Sequence, residues 1–554
     1  MISFGRYEKR RSTNIRFEGE GKMTADSIQI LIAMVIYMAA VIGIGVWFSK
    51  RANQNSENYF LGGRSLGPWV TAMSAEASDM SGWLLMGLPG VAYWCGHADA
   101  AWTAIGLAVG TYLNWLLVAK RLRRYSVRAN NSITLPEFFS NRFREKSPVI
   151  MTLAAAFILI FFTVYAASCL VTCGKLFSTL FGAPYIAMML LGALFVLIYT
   201  LLGGFLAESA SDFMQAIVMI VALAVIVIIS TVKAGGVGAV IANARDIPGF
   251  LEFFGLATPT LNDAKEQIVI EGKPLFGEAA PYGILSVFSM MAWGLVYFGM
   301  PQVLLRFMAI RKEDELKRSR RIAMVWVVVS LAVAVFIGIV GRQLFPTEHL
   351  TASSAENIFI TLAKSSLPAL LAGFVMAGIL AATISSSDSY LLIAASAFAK
   401  NVFQGVIKKK ASDKQVMLVS RITLLVIALV AIIIALDENS VIFKVVSFAW
   451  AGFGATFGPL MLFSLFWKRT NRAGAIAGMV SGAGMVFLWK LVISKLGGVF
   501  GIYELLPAFI FSSVCIVVVS LLTAKPSEEV EQDFDAVKGG DVSEVAAELI
   551  KEEA

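Results

Sequence analysis

Ser74-Ala-Glu-Ala-Ser-Asp-Met-Ser-Gly-Trp-Leu-Leu-Met-Gly-Leu-Pro89 places two carboxylates, three hydroxyls and an early glycine in a segment otherwise apolar enough to cross a bilayer. An ionisable side chain in hydrocarbon is costly unless it faces a cavity or a partner. The pattern predicts a span broken on purpose, with Asp79 as a functional residue and with cations or small zwitterions as guests.

The rest of the chain extends this reading. It is 58% hydrophobic and only 15% charged, against about 25% charged residues in soluble domains. This predicts an all-α polytopic membrane protein whose partner is the lipid bilayer. Roughly thirteen apolar runs have spanning length. They lie near 27–49, 66–92, 100–119, 148–176, 184–207, 211–232, 281–307, 319–342, 367–400, 415–436, 442–466, 472–494 and 500–523. The net charge of +8 would suggest nucleic acid in a soluble protein. Here the basic residues cluster in short links, so the charge reports topology and no nucleic-acid partner is expected.

The links Lys120–Arg124, Arg311–Arg321, Lys408–Lys410 and Lys468–Arg469 follow alternate spans and are expected on the cytoplasmic side. The segment 233–280, with Asp246, Glu252, Asp263, Glu266, Glu271 and Glu278, reads as external. An odd span count then puts the N-terminus outside and the C-terminus inside, in the cell membrane. The basic leader within 1–26 pulls the other way, a conflict that a start at Met23 in place of Met1 would remove. It lacks the small-residue cleavage site of a signal peptide. The membrane domain is expected over 27–525, and the acidic stretch 526–554 is expected to be a solvated tail.

Three polar interruptions carry the chemistry: Ala77–Trp83, Met291–Pro301 and Ala381–Ser389. The first two fall five spans apart, in the second and seventh. Paired Gly/Pro-interrupted spans at matching positions of two halves point to a midplane transport site. Inverted repeats of five helices each, about 66–232 and 281–466, fit this spacing. An unwound helix exposes carbonyls to a cation and amides to an anion. Sodium, a hard cation, should take oxygen donors, so the hydroxyls of Ser385 and Ser386 could join the carbonyls of Ala77, Met80 and Ala382. The other reading of such serines is bonding back to the i−4 carbonyl or close packing. Asp388 must meet water, a cation or a base; Asp212 is either interfacial or part of an ion site. Trp83, Tyr165, Trp293 and Tyr297 could enclose a small ring and face a protonated amine, or singly serve as packing or interfacial belt. Four cysteines and two histidines form no metal-ligand or nucleophile pattern, so no enzyme is expected.

At these residues the chain resembles the sodium:solute symporter family over about 27–525, most closely its proline-carrying branch. The stretches that carry the likeness are Tyr59–Pro68, Ser78–Gly90, Thr134–Phe139, Trp293–Gly299 and Trp450–Ala455. The resemblance implies a LeuT-like 5+5 inverted-repeat bundle with one leading and two trailing helices. It implies sodium-coupled import of L-proline by alternating access, with sodium as the co-transported ion. The sodium site would comprise the carbonyls of Ala77, Met80 and Ala382 with the hydroxyls of Ser385 and Ser386, tuned by Asp79. Ser81, Gly82, Trp83, Tyr165, Trp293, Tyr297 and Pro301 would hold the substrate. A second cation site found in some members would map onto Asp212, Ser385, Asp388 and Ser389. Asp388 replaces the usual serine there, Met300 replaces a glutamine of a proline carrier, and Glu76 adds an unexplained carboxylate. These departures bear on selectivity. The alternatives are another small amino acid, a carboxylate, proton coupling through Asp79 and Asp388, or a non-transporting sensor.

Overall fold

The computed structural model describes residues 24–52, 56–202 and 204–539. The leader up to Lys22 and the tail residues Asp541, Glu544 and Glu548 lie outside the described residues. Ten helices among the described residues are long and apolar enough to cross a membrane. The pair Ile284–Phe298 and Pro301–Ala309, bent by 41°, makes an eleventh when counted as one broken span. The two other expected spans are a broken segment and a shorter apolar helix. Pro68–Asp79 is interrupted before Trp83–Cys95, and Tyr185–Leu201 is short because Gly204, at φ 97°, turns the chain directly into Phe205–Lys233. The acidic segment 233–280 folds as Val237–Arg245 and two small antiparallel pairs, Gly255–Leu256 with Ala280–Pro281 and Val269–Ile270 with Lys273–Pro274.

Burial separates centre from rim. Of the most apolar window, 78% is buried in Ala369–Ile407 and 83% in Ile442–Phe466, against 28% in Ala25–Ile44 and Leu505–Leu522. The first two helices form the core; the last two leave most of their surface exposed. The third expected interruption is therefore one of polarity, not of backbone, because Ala369–Ser396 is a continuous α-helix. The breaks in the second and seventh spans are real. Met80 leaves the helical region at φ −82°, ψ 75°. In the seventh span Ile284–Met291 tightens into the 3₁₀ stretch Ala292–Phe298, and Pro301 restarts the helix at a position that needs no N–H.

Glycine sets how closely these pieces approach. A Cβ on Gly294 would overlap the Gly106 carbonyl, and one on Gly110 would overlap Gly294, so the third span lies backbone to backbone against the 3₁₀ stretch.

The acidic tail departs from the solvated expectation. Glu528–Gly539 is a helix that buries Val530, Phe534 and Val537 against the basic links. Asp533 accepts from Arg128 Nε at 2.8 Å and from Arg144 Nη2 at 2.9 Å. Lys468 pairs with Asp535 at 2.7 Å and with Glu531 at 3.2 Å. The pattern of a solvated charged run is the same as that of an amphipathic helix whose partner is another part of the chain. Val530, Phe534 and Val537, at spacings of four and three, are the apolar stripe that marks the difference.

Candidate functional site

The break after Asp79 frees backbone groups that side chains from other spans then claim. Ser385 Oγ donates to the Ala77 carbonyl at 2.5 Å and Ser386 Oγ to the same oxygen at 3.4 Å. On the same helix Thr383 and Ser387 bond back to Ile379 and Thr383 at 2.7 Å. The back-bonding reading thus holds for these two neighbours, while Ser385 and Ser386 reach across to the second span. Ala382 is buried one turn before Ser386. Leu84 N donates to Ser81 O at 3.0 Å as the chain re-enters a helix beyond Met80.

Two residues beyond Ala77, the Asp79 carbonyl accepts from Trp83 Nε1 and from Tyr165 OH, each at 3.0 Å. The Asp79 carboxylate accepts from Tyr297 OH at 2.8 Å through Oδ2. One broken stretch is therefore held by the fourth, seventh and ninth spans together. Asp79 Oδ1 and Ser81 Oγ are buried with no hydrogen-bond partner among the described residues. Buried polar atoms are ordinarily paired, so an acceptor and a hydroxyl at the break are left for a ligand. Glu76 has a local partner: Trp115 Nε1 donates to its carboxylate at 3.2 Å.

The aromatic residues converge as expected, around a member that sequence reasoning missed. Trp450 packs on Trp83 and Trp293 at centroid distances of 5.3 Å, on Tyr297 at 6.0 Å and on Tyr165 at 6.2 Å. Its Nε1 is also buried without a partner among the described residues. The signal was present: a tryptophan in the glycine-rich run Trp450–Ala455, itself part of the family likeness. Gly82 lets the break press against Thr172, whose side chain a Cβ would overlap. Pro301 opens the second half of the seventh span.

The residues expected to hold a second cation are placed differently. Ser385 faces Ala77, whereas Asp212 and Ser389 are bonded by the Arg306 guanidinium at 3.1 and 3.0 Å. Arg306 Nη2 also pairs with Glu208, and Nε donates to Ser74 Oγ at 3.0 Å, which itself donates to Asp212 at 2.7 Å. Asp388 Oδ1 accepts from the Ser389 amide at 2.8 Å, and Oδ2 has no partner among the described residues. Asp212 is fully buried within the protein, bonded by Arg306 and Ser74. Arg306 and Glu208 were missed because each sits near the end of an apolar run, where a charge reads as interfacial.

Residues 59–482 match the model of the sodium:solute symporter family. The sodium/proline symporter of Haemophilus influenzae is 43% identical over 509 residues, 91% of this chain and 97% of that one. The osmoregulated proline transporter of Bacillus subtilis is 40% identical over 502 residues, 91% and 96% of the two chains. Among solved structures, a sodium-coupled sialic acid symporter superposes with a TM-score of 0.71 at 18% identity, covering 90% of this chain and 99% of that one. That likeness establishes the LeuT-type fold. The chain belongs to the sodium:solute symporter family.

Proposed function

We propose that this carrier, which is not an enzyme, imports L-proline together with sodium. The observation that carries the reading is the shared break in the second span. The Ala77 carbonyl is held by Ser385 and Ser386 on one side, and two residues later Asp79 is held by Trp83, Tyr165 and Tyr297 on the other. A sodium ion among the oxygens of Ala77, Met80, Ala382, Ser385 and Ser386 orders the strand that forms the substrate wall. The proline carboxylate lies near Ser81 and Gly82, its ring among Trp83, Tyr165, Trp293, Tyr297 and Trp450, and Pro301 fixes the bend beside it. The names and high coverage of the two proline-carrying relatives support the choice of substrate.

The energetics suffice. One charge crossing about 100 mV releases about 2.3 kcal/mol, and a tenfold sodium gradient adds about 1.4 kcal/mol. Together they sustain a substrate gradient of roughly several-hundred-fold.

In this reading Arg306 stands where Asp212 and Ser389 would otherwise meet a second cation, giving one sodium per proline. The N-terminus lies outside and the C-terminus in the cytoplasm of the cell, as the basic links require. The repeats run over about 66–232 and 281–466 within the 27–525 membrane domain.

Membrane vesicles should take up labelled proline under an inward sodium gradient, with a Hill coefficient near one for sodium. Equal uptake with potassium in place of sodium refutes the coupling, and failure of a large excess of unlabelled proline to compete refutes the substrate.

A further inference from the structure

On the face where the basic links gather, a cavity of about 480 Å³ opens between the start of Val149–Phe181, the start of Arg472–Leu491 and the strap Thr523–Ser527. Arg144, Lys146, Arg472 and Lys525 line it with Ser147 and Ser527, and no acidic side chain does so among the described residues. Glu528 follows Ser527 at the start of the last helix, and three other carboxylates beside the cavity are engaged. Glu145 accepts from Arg472 Nε and from the Val149 and Ile150 amides, all at 3.0 Å, and Glu529 and Asp533 hold Arg144 at 2.7 and 2.9 Å. Lys146 and Lys525 form no ion pair among the described residues.

The surroundings identify the anion's source. Leu521 and Leu522, just before the strap, are 58% and 80% exposed, and Val149 is 39% exposed. Apolar surface of this kind meets acyl chains, so the cavity sits at headgroup depth. Its volume exceeds what inorganic phosphate fills and lies in the range of pockets that enclose a small organic group. We propose that it binds the phosphate headgroup of an anionic phospholipid, in the leaflet that the topology proposed above makes cytoplasmic. Basic pockets between helices on that side have the chemistry for such headgroups. A lipid seated there holds the Thr523–Ser527 strap, and through it the docked helix Glu528–Gly539, against the starts of the fourth and twelfth spans.

The test uses the full-length protein purified in detergent, titrated with phosphatidylglycerol, phosphatidylcholine or inorganic phosphate, and read by melting temperature and native mass spectrometry. Phosphatidylglycerol should raise the melting temperature and be retained, and the other two should not. K146Q/K525Q should weaken phosphatidylglycerol binding about thirtyfold, at about fivefold per cation. K408Q/K409Q removes the same charge from a different link and should leave binding unchanged. A monodisperse size-exclusion profile for both variants shows that folding is intact. Equal stabilisation by inorganic phosphate overturns the lipid assignment. Equal loss in the two variants reduces the effect to general surface charge and overturns the site, as does full binding by K146Q/K525Q.

Discussion

Tyr297→Phe removes one oxygen, and with it the bond to Asp79 Oδ2 at 2.8 Å that joins the broken seventh span to the broken second. Hydrogen bonds to a charged group contribute about 1.5–3 kcal/mol. The Asp79 carboxylate already has one unpartnered oxygen, so little compensation is at hand. At about 1.4 kcal/mol per decade the loss predicts a fall in Vmax/KM for proline between about tenfold and about 150-fold at saturating sodium. Asp79→Cys deletes the acceptor and should cost a similar amount, while also raising the sodium concentration needed for half-maximal uptake. If the two groups act through one bond, Y297F/D79C should be no worse than the more damaged single variant. The assay is labelled-proline uptake in proteoliposomes, normalised to inserted protein, over a grid of proline and sodium concentrations. Effects that add to within about 0.5 kcal/mol mean the groups act independently, and the idea that this bond links the two breaks is then wrong.

Other outcomes follow from single contacts. Gly82→Ala should abolish uptake at normal expression because its Cβ overlaps Thr172, and Thr172→Ala in the same chain should restore part of it; a double variant as inactive as G82A refutes the steric account. Trp450→Phe keeps an aromatic ring but loses the unpartnered Nε1, so the proline KM should rise about fivefold with sodium half-saturation unchanged, whereas an unchanged KM would reduce Trp450 to packing. Asp533→Asn should lower the melting temperature, since an 8%-exposed carboxylate that serves both Arg128 and Arg144 is lost, and the deficit should shrink in 1 M choline chloride. Burial, reinforced by Arg342, holds the His349 imidazole down at about 4 from its usual 6.5. The fold thus favours neutral histidine, a contribution of about 3 kcal/mol that is complete above pH 6.5 and lost as the pH falls towards 4. The fall in melting temperature from pH 7.5 to 5 should be smaller in His349→Gln, and equal falls in both proteins contradict the assignment.

The span positions were legible because an apolar run of bilayer length would be insoluble anywhere but in lipid or a large protein core. The two backbone breaks were legible because Gly82, Gly299 and Pro301 sit where a helix would otherwise continue. The serine-rich run could not be resolved so simply. Hydroxyls that bond back along a helix and hydroxyls that reach across to a neighbour have the same sequence, and only the placement of Ala77 separates Ser385 from Ser387. Arg306 was hidden for a related reason: its meaning depends on Glu208 and Asp212, far away in the chain on another span. The docked tail was equally hidden, because charge density alone does not tell solvent from a complementary basic surface.

The contact of Gly106 and Gly110 with Gly294 sets a limit on how the molecule can move. Two backbones seated against each other without side chains have no rotamers to absorb a sliding motion. The third span and the 3₁₀ part of the seventh must therefore travel as one stiff body. Whatever opens and closes the pathway must pivot elsewhere, at seams lined by adjustable side chains. A covalent tether between positions flanking the glycine contact, where a side chain fits, should leave turnover untouched, and a tether between the second and ninth spans should arrest it.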